Sequence, residues 1–182
     1  YIVDPSVYEV KNTIPVSNNN PDFYQHPTEQ MIAFKDLIFT NCYSFDNKIL
    51  VINSITDRLI DSVEVLEQPN SMVMDKNNKL WVLCDGGFQG SSYGDGVSGL
   101  VRIDLETRTV EKIFTLSGDN WASELTINAR RDTLYYIYKD VWRMSVDDDI
   151  LPATPFINAV DGNRTKLFYS LGVNPANSEI YV

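Results

Sequence analysis

The sequence predicts an all-β fold made of repeated four-stranded antiparallel units. Three observations lead to this prediction: a strand-forming composition, an apolar–acidic signature that recurs along the chain, and a second apolar signature between its copies. Of the 182 residues, 43% are hydrophobic and 12% are aromatic, with 10 Tyr, 8 Phe and 3 Trp. Aromatic residues fit the pleated, half-buried surface of a sheet. We therefore expect one globular β-domain.

The first signature is a short strand ending in Asp, Asn or Ser, a polar turn, and a second strand about four residues later. Asp and Asn suit such turns because their side chains accept hydrogen bonds from the backbone two residues further on. Each copy is therefore expected to form a hairpin. The copies are YIVDPSVYEVKNTIPV (1–16), LVINSITDRLIDSVEV (50–65), LVRIDLETRTVEKIFTL (100–116) and the degenerate VWRMSVDDDILPATPFI (141–157).

The second signature consists of two apolar strands joined by a tight turn that contains Asp, Asn or Lys. It occurs as QMIAFKDLIFT (30–40), SMVMDKNNKLWVL (71–83), LTINARRDTLYYI (125–137) and LGVNPANSEIYV (171–182). Its landmark residues, Leu37, Leu80, Leu134 and Ile180, lie 43, 54 and 46 residues apart. Four short strands in roughly 40–50 residues are typical of a β-propeller blade, whereas a β-sandwich has no such period.

The predicted organisation is one partial β-propeller domain over residues 1–182. Because a propeller ring contains about 4–8 blades, the chain would supply about half of a ring, and it stops at EIYV within a strand as if cut from a longer protein. In an alternative arrangement, the leading and trailing strand pairs complete one shared blade of a closed four-bladed ring. The parts are outer strands 1–16, full blades 29–65, 71–116 and 124–159, and inner strands 169–182. In the middle blade, strands are predicted at 71–75, 80–84, 99–104 and 110–116.

The long connections all fall on one predicted face of the propeller, whereas the turns within hairpins are short. Binding residues concentrate on loops that a rigid scaffold holds, and amide and aromatic side chains together suit a large, neutral, hydrogen-bonding ligand. This face is therefore predicted to bind such a ligand, with the alternative that single aromatics cap the blade packing. The connections are 17–29, 42–48, 66–71, 84–99, 117–123 and 160–169.

Charge and residue content exclude several function classes. A formal net charge of −10 and a pI near 4.4 argue against a nucleic-acid partner. No apolar stretch approaches the roughly 18 residues that span a bilayer. The one histidine, His26, lacks the further ligands that a zinc site needs, and no Gly-x-Ser-x-Gly elbow or Walker motif occurs. We expect a non-catalytic protein without a metal or cofactor.

The two cysteines are expected to be free thiols. Cys42 and Cys84 end equivalent predicted strands, but one position out of register. Because side chains alternate between the two faces of a strand, the two thiols should point in opposite directions.

Two sets of residues resemble known propeller families. VDPSVYEVKNTIPV and INSITDRLIDSVEVLEQPNSMVMDKNNKLWV resemble the YVTN-type repeat of surface-layer and YncE-like proteins. Residues 66–159, which include QPNSMVMDKNNKLWVLCDGGFQGSSYG and WASELTINARRDTLYYIYKDVWRM, look like the surface-exposed cobalamin-binding (BtuG-type) lipoproteins of gut Bacteroidetes. The resemblance implies a seven-bladed ring, lipid-anchored at the cell surface. It also implies that the ring captures cobalamin or a related corrinoid for an outer-membrane TonB-dependent transporter.

The resemblance agrees with the residue content of the long loops. Cobalamin is large, with amide side chains around its corrin rim and apolar faces, so aromatic rings can stack on the faces while Gln and Asn pair with the amides. The candidate ligand contacts are Phe88, Gln89 and Tyr93 in the loop 84–99, Asn120 and Trp121 in the next connection, and Tyr43, Gln68 and Tyr169.

Two other functions remain open at the level of sequence. One is a surface propeller of the YncE-like kind that binds a glycan or another protein and no corrinoid. The other is an enzyme, such as a lyase or a quinoprotein-like propeller, for which no catalytic constellation is found. Carboxylates paired across loops would suit a glycosidase, although acidic residues beside glycine are usually turn formers. Those carboxylates are Asp85, Asp95, Asp119 and Glu124.

Overall fold

The computed structural model describes residues 1–16, 28–43, 46–87, 90, 96–118 and 120–182. Every regular element in these ranges is a β-strand, and the predicted all-β class is confirmed. No helix in the described ranges has the length and hydropathy needed to cross a bilayer. The strands are β1 (Ile2–Asp4), β2 (Glu9–Asn12), β3 (Thr28–Phe34), β4 (Leu37–Cys42), β5 (Lys48–Asn53), β6 (Arg58–Glu64), β7 (Pro69–Met74), β8 (Lys79–Cys84), β9 (Gly99–Asp104), β10 (Thr109–Thr115), β11 (Ala122–Ile127), β12 (Thr133–Tyr138), β13 (Asp140–Ser145), β14 (Val160–Asp161), β15 (Arg164–Thr165), β16 (Gly172–Val173) and β17 (Ile180–Tyr181).

Two four-stranded antiparallel sheets form the centre of a partial β-propeller. One has the strand order β3-β4-β5-β6 and the next has the order β7-β8-β9-β10, so each is a meander in chain order. The strands of the second sheet begin and end within two residues of the positions predicted for that blade.

The third unit differs from the full blade predicted at 124–159. Its sheet has three strands, β11-β12-β13, and the chain beyond β13 meets the sheet edge through one bridge between Val141 and Ile157. Pro152 and Pro155 lie in the segment predicted as the outer strand. Because proline has no N–H to donate to a ladder, that strand is reduced to a short contact in which the Val141 N–H donates to the Ile157 carbonyl at 3.0 Å.

The segment 160–169, predicted as a connection, contains the hairpin β14–β15. Val160 pairs with Thr165, and Gly162 occupies the turn with a φ of 60°. The prediction did not include this hairpin, because Gly162 allows a tight turn that the polar composition did not reveal.

The terminal strand pairs occur as the hairpins β1–β2 and β16–β17. They belong to separate two-stranded sheets, although the structure describes residues 1–16 and 169–182 in full. The closed four-bladed ring considered above, in which the two pairs share one blade, is therefore not formed.

Three of the four turns of the first signature share one geometry. In each of the three, an Asp or Asn side chain at the strand end accepts a hydrogen bond of 2.8–3.0 Å from a backbone N–H two or three residues further on. The fifth residue of each turn has a φ of 55–59°. The turns are thus held by their own residues, and the predicted side-chain bonds are confirmed. The acceptors are Asp4, Asn53 and Asp104, and the residues with positive φ are Tyr8, Asp57 and Arg108.

The apolar cores lie between neighbouring sheets. Along β8, Leu80 and Val82 contribute to the core shared with the first sheet, whereas Trp81 and Leu83 contribute to the core shared with the third. Trp81 is fully buried, and its indole N–H donates to the Asp75 carboxylate at 2.9 Å. The second sheet is therefore packed on both faces, which fixes the strand ends that it contributes to the candidate site.

Both cysteines are free, as predicted, and both are fully buried. Burial raises the pKa of the Cys42 thiol to about 12 and raises the pKa of the Cys84 thiol far above its usual range. Both thiols are therefore protonated at neutral pH, and neither is activated as a nucleophile.

Candidate functional site

A cavity of about 950 Å³ lies where the inner strands of the three sheets begin. Its walls come from β3, β7 and β11, from the connections after β4 and β8, and from the segment after β15. Small-molecule sites usually enclose roughly 300–1,000 Å³, so this cavity is at the large end of the range. The lining thus combines the ends of the inner strands with connections that include Asn120 and Trp121 after β10.

The structure brings five of the eight predicted contact residues to this cavity. Trp121 and Tyr169 keep 69% and 84% of their surface exposed, whereas Gln68 is only 8% exposed. The aromatic rings are therefore accessible at the rim, while Gln68 is part of the wall. The five residues are Tyr43, Gln68, Asn120, Trp121 and Tyr169. The other three, Phe88, Gln89 and Tyr93, lie outside the described residues.

The base of the glycine-rich connection 84–99 is hydrogen-bonded to the preceding connection, 66–71. The Gly86 N–H donates to the Glu67 carbonyl at 3.0 Å, and the Gly96 N–H donates to the Gly86 carbonyl at 2.8 Å. Gly86 has a φ of +80°, and a Cβ atom there would lie 2.7 Å from the carbonyl carbon of Val97. Only glycine fits this position, because both the backbone angle and the space exclude a side chain.

The same connection is tied to two others that border the cavity. The Asp85 N–H donates to the Gln68 carbonyl at 3.1 Å. The Ser98 hydroxyl lies 2.7 Å from the Asp85 carbonyl oxygen and 3.1 Å from that of Asn120, so it can donate to either. The connections after β6, β8 and β10 are therefore held in fixed relation to one another.

Asp85 is a polar group with several neighbouring donors in the cavity wall that belongs to the second sheet. The Gly87 N–H donates to its carboxylate at 2.8 Å, the Asn70 side-chain amide does so at 3.5 Å, and the Tyr43 hydroxyl lies near it. Burial raises the pKa of Asp85, and the three donors partly offset this rise. Burial, followed by the nearby Asp85 charge, raises the pKa of Tyr43. Protein donors thus replace part of the hydration of this carboxylate.

One polar side chain links each inner strand to the next. In every case an oxygen atom in one sheet accepts a backbone N–H of the following sheet, and the acceptor residue also lines the cavity. The sequence did not indicate this linking role, and Glu124 was considered only as a catalytic carboxylate, although each of the three residues stands directly before the first apolar residue of a copy of the second signature. The acceptor and donor pairs are Gln30 with Met72 at 2.8 Å, Ser71 with Leu125 at 3.1 Å, and Glu124 with Leu171 at 3.4 Å.

The charges that line the cavity balance. Among the described lining residues, the carboxylates Asp85 and Glu124 are matched by the ammonium groups of Lys139 and Lys166. Lys166 also forms an ion pair with Asp161 at 3.5 Å. On a chain of net charge −10, this neutral lining suits a neutral ligand better than a strongly charged one. The two lysines were not predicted, because isolated lysines in loops carry no sequence signal.

The residues considered above for metal binding and for paired-carboxylate catalysis lie only partly within the described ranges. No group of three or more His, Cys, Asp or Glu side chains in these ranges could hold a metal ion, and His26 lies outside them. Of the four carboxylates considered for a glycosidase, Asp85 and Glu124 both line the cavity. Asp95 and Asp119 lie outside the described residues.

Several solved structures share the fold at low sequence identity. They include hydrazine synthase of Kuenenia stuttgartiensis, with 14% identity and a TM-score of 0.57, covering 98% of this chain and 53% of that one. The dihydro-heme d1 dehydrogenase NirN in complex with DHE has 12% identity and a TM-score of 0.55, covering 67% of this chain and 26% of that one. KlAtg21 in complex with the coiled-coil of AgAtg16 has 11% identity and a TM-score of 0.53, covering 87% and 50%.

These likenesses show the fold alone. Hydrazine synthase and NirN are β-propeller-like, and the chain spans about half or less of the length of each of the three neighbours. No curated protein sequence matches the chain. A family model described as a domain of unknown function, DUF5074, matches residues 1–182, and the chain therefore belongs to the DUF5074 family.

Proposed function

We propose that this chain is part of a non-catalytic β-propeller that captures cobalamin or a related corrinoid at the cell surface. In this proposal, an outer-membrane TonB-dependent transporter receives the ligand from a lipid-anchored propeller. The observation that carries the proposal is that amide and aromatic residues predicted as contacts line one cavity of about 950 Å³. The resemblance of residues 66–159 to cobalamin-binding lipoproteins supplies the identity of the ligand and of the transporter.

The cavity offers the two kinds of contact that a corrinoid needs. The exposed rings of Trp121 and Tyr169 at the rim can stack on an apolar macrocycle face. The amides of Gln68 and Asn120 lie on the wall, where they can pair with the neutral amides of the corrin edge. Because the charges of the lining balance, the ligand needs no net charge to offset them.

Titration of the full-length protein with cobalamin, followed by calorimetry and tryptophan fluorescence, tests the proposal. We expect saturable binding, which Trp121→Ala weakens about 10-fold or more because an exposed ring is removed from the contact surface. Ile55→Ala is the matched control, since Ile55 is 73% exposed but lies in the β5–β6 turn on the other face. That variant should bind like the unaltered protein.

Absence of corrinoid binding to the full-length protein would overturn the proposal. The second candidate function is a surface propeller that binds a glycan. The exposed rings of Trp121 and Tyr169 also support it, because aromatic rings at a cavity rim can stack on sugar rings. Binding on a glycan array without any corrinoid binding would favour that second function.

A further inference from the structure

The second sheet forms one wall of the cavity, and the donors and acceptors of this wall have fixed orientations. The Asn70 side-chain N–H donates to the Ala122 carbonyl at 2.6 Å, and its Oδ1 accepts the Ser71 hydroxyl at 2.7 Å. These two bonds set the orientation of the Asn70 amide, whose nitrogen also faces the Asp85 carboxylate at 3.5 Å. The Asn70 oxygen is thus engaged by Ser71, and the charged acceptor that the second sheet presents at this wall is the carboxylate of Asp85.

Among the described residues, fewer donors reach the Asp85 carboxylate than it can accept. A carboxylate accepts about four hydrogen bonds, and the described donors within hydrogen-bond distance are the Gly87 N–H and the Asn70 amide. Asp85 is half-buried and lines the cavity. A ligand N–H placed there replaces a hydrogen bond from water that burial has removed. A ligand carboxylate would instead be repelled by the negative charge of Asp85 in a partly desolvated site.

We propose that Asp85 determines specificity, by selecting a neutral carboxamide or similar N–H donor on the ligand and rejecting a carboxylate. The inference rests on the proposed function of the cavity as a binding site and defines the ligand chemistry at one wall of it. The two lysines of the lining, Lys139 and Lys166, come from other elements, the β12–β13 connection and the segment after β15.

The test compares cobalamin with its monocarboxylic acids, in each of which one side-chain carboxamide is hydrolysed. Calorimetry on the full-length protein should show that at least one acid binds about 10-fold or more weakly than cobalamin. In Asp85→Asn, which is nearly isosteric and has lost the charge, that penalty should shrink to within about 3-fold. Asp61→Asn is the matched control, since Asp61 is exposed on β6, outside the cavity, and it should discriminate like the unaltered protein.

Each outcome bears on a different proposal. If the unaltered protein and Asp85→Asn discriminate equally, or if every acid binds like cobalamin, the inference is overturned while the proposed function stands. If cobalamin itself does not bind, the proposed function falls and this inference with it. Should Asp85→Asn fail to fold, the carboxyl ¹³C resonance of Asp85 in the unaltered protein gives the same answer. Cobalamin should lower the pKa of Asp85 through the new donor, and an unchanged pKa overturns the inference.

Discussion

The two faces of the propeller hold their loops in different ways. On the turn face, Asp4, Asn53 and Asp104 each bond a backbone N–H of their own turn. On the cavity face, the connections hold one another, as when Gly86 pairs with Glu67 and Gly96. A change in one turn is therefore local, whereas a change in one connection is transmitted to the walls of the cavity. The repeated turn geometry therefore belongs to the first face, and the proposed binding site belongs to the second.

The largest effect expected is the contrast between two tryptophans. Trp81→Ala should lower the free energy of unfolding by about 3–5 kcal/mol, because a fully buried ring and its bond to Asp75 are lost. Trp121→Ala should change it by no more than about 0.5 kcal/mol, since Trp121 is 69% exposed. Urea unfolding measures both. Comparable losses in the two variants would contradict the assignment of Trp121 to an accessible rim.

A smaller loss is expected when the base of the cavity-face connection is disturbed. Gly86→Ala should cost about 2–3 kcal/mol, because the new Cβ combines a φ of +80° with a contact of 2.7 Å to Val97. Gly162→Ala is the matched control, with a φ of +60° and no atom within 4 Å of the new Cβ, and should cost about 1 kcal/mol. Gly86→Ala should also weaken cobalamin binding, and an unchanged affinity would show that the base of the connection does not shape the cavity.

The regular parts of the fold were predictable because local chemistry alone determines them. The strands of the second sheet follow the alternation of apolar residues, and the turn at Asp104 follows from its own side chain. The prediction of an outer strand in the third unit was wrong because Pro152 and Pro155 have no N–H to donate to a sheet. The apolar pattern alone does not show this loss of donors.

The site was predictable in part. The pattern of aromatic and amide residues in the long connections predicted Trp121 and Tyr169 on one face, and both line the same cavity. The burial of Gln68 was not predictable, since it depends on a positive φ of 54° and a backbone bond to Asp46. Nor was the partnership of Asp85 with Tyr43, because it joins residues of two sheets that only the assembled fold brings together.

A further prediction tests how self-contained the turn face is. Asn53→Ala should cost about 1 kcal/mol, because the N–H groups of Ile55 and Thr56 lose an acceptor at 3.0 and 2.8 Å in an exposed turn. Asn53→Asp keeps the acceptor and should cost less than half as much. Neither variant should alter cobalamin binding by calorimetry, and a loss of affinity would show that the two faces are coupled.

The smallest effect expected is in the acid dependence of stability, where Asp104 and Asp85 should act in opposite directions. A hydrogen bond from the Lys79 ammonium at 2.5 Å, together with that from Thr107, lowers the pKa of Asp104 from 3.8 to about 2. A depressed pKa in the folded state adds stability that is complete above about pH 4 and is lost as the pH falls towards 2. Asp104→Asn should therefore lose less stability than the unaltered protein across this interval.

For Asp85 the sign reverses, because burial raises its pKa above 3.8 in the folded state. Between the unfolded and the folded pKa the folded state binds more protons, so the free energy of unfolding decreases as the pH rises through that window. Asp85→Asn should remove this decrease, and its stability relative to the unaltered protein should improve from acid to neutral pH. Urea unfolding from pH 2 to pH 7 measures both slopes. Slopes of the same sign would mean that the carboxylate on the cavity wall is solvated like those in the turns, and that the two faces do not differ in their electrostatics.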